Sequence, residues 1–238
     1  IRMKHLFFDL DRTLWDFEKN SEIALRAIYN DLNLSDHFRS FQSFNTIYKK
    51  INAKLWHQYG SGKITKSELR VRRFIDTLKK VSVHNEELAL QLCDGYVKVS
   101  PFQTNLFPNA IETLVSLKNE GYELHIITNG FKEVQYIKLE KSKLLEYFNV
   151  IVCSDEVGKN KPSRDIFDYA LHHAKAKPSE SLMIGDDYLV DVVGAEKAGM
   201  QGILFDPNKS YREGTHEWII NNLNEIPGLI PWIKKTTL

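Results

Sequence analysis

The chain has 238 residues, 42% of them hydrophobic and 26% charged, with a formal net charge of +1 at pH 7; this length holds one large domain or two modest ones. A charge so near zero supplies no global field for a nucleic acid polymer or an anionic membrane. The two cysteines, Cys93 and Cys153, exclude a disulfide framework and, with no targeting signal, point to a reducing cytoplasm, while no apolar stretch is long enough to span a bilayer.

Ile1 and Arg2 precede Met3, so the natural start is expected at Met3 or upstream of Ile1. Lys4 to Phe8 is a short apolar run that suits a buried parallel strand, and it ends in Asp9-Leu10-Asp11. A helical stretch follows in place of a second strand. Ile23, Ala27 and Ile28 have helical spacing. Phe41, Phe44, Tyr48, Ile51, Leu55 and Tyr59 form a longer stripe in three- and four-residue steps, broken by Gly60-Ser61-Gly62. Thr65 and Glu68 have the spacing of a capping box, opening a helix with Leu69, Ile75 and Leu78. Asn85 is placed to cap a fourth helix that ends near Val99, and Ser100-Pro101 marks the exit. Residues 17–100 read as an all-helical insertion.

After it, strands and helices alternate. Pro108 suits the first turn of a helix that stops before Gly121. Tyr122–Ile127, Val150–Cys153, Leu182–Ile184 and Gly202–Phe205 are predicted strands, and Gly199 ends the helix before the last of them. The tail offers a strand at Trp218-Ile219-Ile220 and a helix from Ile226 to Ile233. Alternating βα units predict an α/β fold with a doubly wound parallel sheet. The expected domains are a core of 1–16 and 101–238 and a helical cap of 17–100, and helical insertions near an active site commonly serve as lids.

Open α/β sheets place their chemistry just past the carboxyl ends of the strands. Three predicted strands end there on polar groups: Asp9 and Asp11, Thr128-Asn129-Gly130, and Gly185-Asp186-Asp187. With fourteen aspartates, about one Asp-x-Asp pair arises by chance, and a solvated turn is its ordinary setting. Placement directly after Leu6-Phe7-Phe8 argues for burial instead. If the chain stays extended, both carboxylates point to one side and repel, so one must bind a cation or hold a proton. Thr128 and Asn129 alone would be a turn; beside Asp9, their hydroxyl and N–H groups suit an anionic oxygen. Lys161 precedes Pro162 and Ser163, the expected cap of a helix whose N-terminus favours anions; Lys159 is the nearby rival. Asp186, Asp187 and Asp191 crowd one short segment. Complementing a helix dipole explains one or two of them, but not their place after a buried strand. Hard oxygen ligands together with Asp9 suit Mg²⁺, and no His/Cys cluster has zinc-ligand spacing.

Phe8-Asp9-Leu10-Asp11-Arg12-Thr13-Leu14, Ile127-Thr128-Asn129-Gly130, Lys161-Pro162 and Gly185-Asp186-Asp187-Tyr188-Leu189-Val190-Asp191 resemble, in order, the four motifs of the haloacid dehalogenase (HAD) superfamily. The helical insertion falls in that superfamily's cap slot. Leu14-Trp15-Asp16-Phe17, Gly62-Lys63-Ile64-Thr65 and Thr128-Asn129-Gly130-Phe131 look most like the bacterial branch that dephosphorylates pyrimidine nucleoside 5′-monophosphates. The resemblance implies a HAD-like, Rossmann-type core and a Mg²⁺-dependent phosphomonoester hydrolase forming an aspartyl-phosphate. It implies Asp9 as nucleophile and Asp11 as general acid, then base. Lys161 would neutralise nucleophile and phosphate, and Thr128 and the Asn129 backbone would bind phosphoryl oxygens. Mg²⁺ would be held by Asp9, the Asp11 backbone carbonyl and Asp186. Asp191 would support the metal shell or orient Lys161, with Asp187 a further supporting acid. Arg12 departs from the pattern, in which the residue after Asp11 is most often small or acidic, and no role is assigned to it.

A sugar-phosphate phosphatase or a phosphomutase would keep the same motifs. A haloacid dehalogenase shares the nucleophile but does not need Asp11. A receiver-like phosphate-binding regulator also pairs an aspartate with acids, Thr and Lys, but is much shorter and lacks a large insertion; a non-catalytic relative would lose a motif, and none is lost. In the insertion, Tyr48 and Trp56 are better read as cap core, and Lys63, Arg70 and Arg73 as a solvated face. The expected partner is a small-molecule phosphate ester, with the chain a monomer or weak homodimer.

Overall fold

The computed structural model describes residues 3–212 and 214–233, so Ile1 and Arg2, on which the expected start bears, lie outside the described residues. In chain order the elements are β1 (His5–Phe8), α1 (Phe17–Asp31), α2 (Phe41–Gly60), α3 (Lys66–Lys79), α4 (Glu86–Val99), α5 (Ala110–Asn119), β2 (Glu123–Thr128), α6 (Lys132–Lys141), β3 (Val150–Cys153), α7 (Ser154–Val157), α8 (Arg164–His173), β4 (Ser181–Gly185), α9 (Val193–Lys197), β5 (Gln201–Phe205), β6 (Ile219–Ile220) and α10 (Ile226–Leu229). They fall into two compact units, Ile1–Phe17 with Thr104–Leu238, and Glu18–Gln103.

The first unit is a six-stranded sheet in the order β3-β2-β1-β4-β5-β6, and every neighbouring pair is parallel. Leu6, Phe8, Leu124, Ile126, Leu182 and Ile184 pack on one face. Phe7, Ile127 and Met183 pack on the other, against Ile166 and Phe167 of α8. Because both faces are buried, the strands read as continuous apolar runs without polar alternation. Each fully buried side chain of this kind contributes about 1.5–3 kcal/mol. The strand order reverses between β1 and β4, and this switch point is where open sheets leave a crevice beyond the strand ends. Phe8 pairs with Ile184 there, and the Asp9 N–H donates to the Ile184 carbonyl at 2.9 Å. Pro108 stands ahead of α5, whose first residue is Ala110, and Asn109 takes a left-handed conformation between them. The tail carries the short β6 and α10, and Ile230–Trp232 continues α10 as a single 3₁₀ turn.

The second unit packs its helices around Phe38, Phe44, Tyr48, Phe74 and Tyr96. The Thr65–Glu68 capping box forms in both directions, with Glu68 N–H donating to Thr65 Oγ1 and Thr65 N–H to a Glu68 carboxylate oxygen. Asn85 accepts from the Leu88 N–H at 3.0 Å. The inward stripe of α1 differs from the expected one. Ile23 is exposed, and Ser21, Ala24, Leu25, Ile28 and Tyr29 face inward. The reason is polar: the Ser21 hydroxyl lies 3.0 Å from the Tyr96 hydroxyl, so a position that hydropathy leaves outside is satisfied inside. Among the described residues no helix is long and apolar enough to cross a membrane.

Candidate active site

β1 delivers Asp9 one residue past its end, and the chain then turns. Arg12 adopts a left-handed φ of 69°, and its N–H donates to the Trp15 carbonyl at 2.9 Å. The chain does not stay extended, and the two carboxylates take different partners. Asp9 Oδ1 accepts from Lys161 Nζ at 2.7 Å, whereas Asp11 Oδ1 accepts from Lys138 Nζ at 2.6 Å and Asp11 Oδ2 from Gln135 Nε2 at 2.9 Å. The repulsion expected of an Asp-x-Asp pair is relieved by two separate lysines. Arg12 itself is exposed, with its guanidinium 4.3 Å from the centre of the Phe17 ring.

Lys161 is buried, and its ammonium is fully used: Nζ donates to Asp9, to Asp191 Oδ1 at 2.6 Å and to the Ile127 carbonyl at 2.8 Å. Burial opposes its charge, but Asp191 and Asp9 outweigh that cost and hold its pKa above the ordinary lysine value. Lys159, the rival, is exposed. Asn129 fixes the lysine's backbone, its Oδ1 accepting from the Lys161 N–H at 2.8 Å and its Nδ2 donating to the Lys161 carbonyl at 3.1 Å. Thr128, at the end of β2, accepts at Oγ1 from the Gly130 N–H and from Gln135 Nε2.

Asp9, Asp186 and Asp191 bring carboxylate oxygens within 4.8 Å of one another. Asp191 Oδ2 also accepts from the Asp187 N–H at 3.1 Å. Asp187 is exposed and caps the next turn, accepting from the Leu189 and Val190 N–H groups. It belongs to the scaffold, not to the acid cluster. Burial pushes the Asp9 carboxyl up to about 7 against the opposing pull of Lys161. Burial, then Asp9 and Asp191, push Asp186 up to about 8. Asp9 and Asp191 share one buried ammonium and Asp186 lies beside them, so the cluster holds more carboxylates than Lys161 offsets, a donor set that a hard divalent cation fits. The Thr13 hydroxyl lies between two of them, 3.5 Å from Asp9 Oδ2 and 3.4 Å from Asp186 Oδ1.

Sequence reasoning missed Thr13, Gln135 and Lys138. With Leu139, Gln135 and Lys138 form the buried face of α6 while its charged neighbours face out, and no pattern along the chain marks these two polar residues as buried. Parallel pairing also creates a second potential ligand group, His5, Glu123 and His125, at the opposite end of the strands, which residue spacing along the chain did not reveal. His5 Nδ1 and His125 Nε2 lie 3.2 Å apart. A metal on His125 Nε2 would require a proton on Nδ1, which is buried without an acceptor, so a shared hydrogen bond suits this pair better than an ion.

Residues 6–205 match the family model described as haloacid dehalogenase-like hydrolase. The chain is 31% identical to the pyrimidine 5'-nucleotidase YjjG of Escherichia coli over 231 residues, covering 94% of this chain and 96% of that protein. It is 30% identical to a glyceraldehyde 3-phosphate phosphatase of Methanothermobacter thermautotrophicus over 217 residues, with 90% of each chain covered. Among solved structures, the magnesium-bound putative HAD-hydrolase YfnB of Bacillus subtilis superposes with a TM-score of 0.87 at 27% identity, covering 97% of this chain and 100% of that one.

Proposed function

The chain belongs to the haloacid dehalogenase-like hydrolase family, and from that premise we propose that it is a Mg²⁺-dependent phosphomonoester hydrolase working through an aspartyl-phosphate. One observation carries the reading: the buried Lys161 ammonium is shared by Asp9 and Asp191, beside Asp186, at the switch point of the sheet. That arrangement supports a restrained anionic nucleophile with a metal-binding acid next to it.

Asp9 attacks phosphorus through a carboxylate oxygen, and the bond from phosphorus to the leaving oxygen breaks. The leaving oxygen takes its proton from Asp11. Water then attacks phosphorus and gives its proton to Asp11, the phosphorus–Asp9 bond breaks, and inorganic phosphate departs with Asp9 restored. Lys161 keeps the nucleophile oriented and offsets phosphate charge. The Thr128 oxygen already accepts two hydrogen bonds, which leaves its hydrogen for a phosphoryl oxygen, alongside the Asn129 backbone N–H. Asp9, Asp186 and the Asp11 backbone carbonyl would hold Mg²⁺, which when bound offsets repulsion between the nucleophile and an anionic ester. Asp191 orients Lys161. Residues 17–100 form the helical cap domain, and 1–16 and 101–238 the catalytic core.

Nucleoside 5′-monophosphates lead the proposed substrates, on the strength of the nucleotidase relative; sugar phosphates are the second reading, on the strength of the triose-phosphate phosphatase relative. The enzyme is read as cytoplasmic, monomeric or weakly dimeric. With p-nitrophenyl phosphate, Asp9→Asn is expected to lower kcat by more than about a thousandfold, and excess chelator to stop turnover. Steady hydrolysis by Asp9→Asn would remove the nucleophile assignment, and full activity in chelator the metal. A panel of nucleoside monophosphates and sugar phosphates then decides the substrate: if sugar phosphates lead in kcat/KM, the nucleotidase reading is wrong.

A further inference from the structure

The buried face of α6 carries two polar side chains to which the mechanism above gives no role. Lys138 Nζ donates to Asp11 Oδ1 at 2.6 Å and lies 4.3 Å from the centre of the Trp15 ring. Gln135 Nε2 donates to Asp11 Oδ2 at 2.9 Å and to Thr128 Oγ1 at 2.8 Å. Both residues are buried, and a lysine taken out of water is costly unless it is paired. A lysine that only had to cover Trp15 would keep its ammonium in solvent. Here the ammonium is delivered to one carboxylate oxygen, and the residue one turn earlier on the same helix holds the other. Two donors on two oxygens fix the plane of the carboxylate, which a single contact cannot do. That matters because Asp11 sits on a turn beyond β1 and not in the strand.

We propose that Lys138, with Gln135, is the positioning element of Asp11, and that the shared Gln135 amide sets the proton-transfer carboxylate and the phosphate-binding Thr128 hydroxyl from one helix. This rests on the reading of Asp11 as the proton-transfer group. Lys138 acts through Asp11, so its effect follows the demand for a proton on the leaving oxygen. p-Nitrophenolate leaves with little need of one, and a benzyl alkoxide does not.

The test compares benzyl phosphate with p-nitrophenyl phosphate in the full-length enzyme with Mg²⁺. Lys138→Met is expected to lower kcat for benzyl phosphate about 10- to 100-fold, the scale of a misplaced catalytic group, with a several-fold smaller loss for p-nitrophenyl phosphate and little change in KM for either. In an Asp11→Asn background the same substitution is expected to add no further loss, since two groups acting as one unit are non-additive. Equal losses on both substrates, no loss, or full additivity with Asp11→Asn each overturn the proposal. If Lys138→Met does not fold, Lys138→Gln, which keeps a donor without the charge, goes through the same cycle. Asp9→Asn and Asp11→Asn separate this outcome from failure of the underlying reading. An active Asp9→Asn, or an Asp11→Asn without leaving-group selectivity, removes the premise; an inactive Asp9→Asn and a selective Asp11→Asn with an additive Lys138→Met remove only the positioning role.

Discussion

Two glycines belong to the site because of the atoms they lack. A Cβ on Gly185 would stand 2.2 Å from Asp191 Oδ2, and one on Gly130 would stand 2.3 Å from Gln135 Cδ. The requirement is space, so alanine, though the smallest change available, still collides with a side chain that holds another group. Gly185→Ala must displace Asp191 from Lys161. A kcat loss of about a hundredfold is expected for a shift of this kind, with about 1–3 kcal/mol of lost stability from overpacking. Turnover of p-nitrophenyl phosphate and urea unfolding measure the two effects, and wild-type kcat in a folded variant would contradict the assignment. The carboxylates themselves were readable, because a polar residue directly after a buried apolar run is a pattern along the chain. Whether Asp191 joins the metal shell or orients Lys161 was left open by the resemblance. In the structure the π-helical turn Tyr188–Val192, which Asp187 caps from outside, carries Asp191 inward onto Lys161 Nζ.

At the scale of elements, legibility follows the kind of signal. The capping residues of the helical unit were readable because a cap is local: Thr65, Glu68 and Asn85 meet backbone groups three residues away. Asn85→Ala is expected to cost about 1 kcal/mol, the usual worth of such a cap, seen as a lower urea midpoint with an unchanged slope. A midpoint equal to wild type would mean that the Leu88 N–H finds another acceptor. The face of α6 was not readable for the opposite reason. Gln135 and Lys138 look like solvent residues by hydropathy, and only partners distant in sequence, Asp11 and Thr128, make their burial affordable. The inward face of α1 fails in the same way at Ser21, whose partner Tyr96 belongs to another helix.

For the whole molecule, alternation of strands and helices pointed to a parallel sheet, but strand order is a property of pairing and has no local signature. The order β3-β2-β1-β4-β5-β6 places β1 against both β2 and β4, and this decides the surroundings of His125. Its ring stacks on Phe7 with centroids 4.6 Å apart, and its Nδ1 is buried without a partner. Burial, with a smaller push from His5, lowers its pKa to about 4. The unfolded chain binds that proton near the ordinary value of about 6.5. Above this range neither state is protonated and the folded α/β unit keeps its full stability. As pH falls from about 6.5 towards 4, only the unfolded state gains the proton, so stability is lost across that window. At pH 5 the loss from this one residue amounts to about 2 kcal/mol relative to pH 7.5. His125→Phe keeps a ring against Phe7 and removes both the proton site and the orphaned nitrogen. The variant is expected to match wild type within about 1 kcal/mol at pH 7.5, because removing an unsatisfied polar atom offsets the changed ring shape. It should then gain on wild type by about 2 kcal/mol as the pH is lowered to 5. Urea unfolding of both proteins at the two pH values measures the difference. The carboxylates titrate in both proteins and cancel in the comparison; His5, 3.2 Å from His125, is coupled to it, so the same comparison is repeated in a His5→Asn background. Parallel pH dependences would show that His125 is protonated as readily in the folded chain as in the unfolded one, and that its burial beside Phe7 has no energetic consequence in acid.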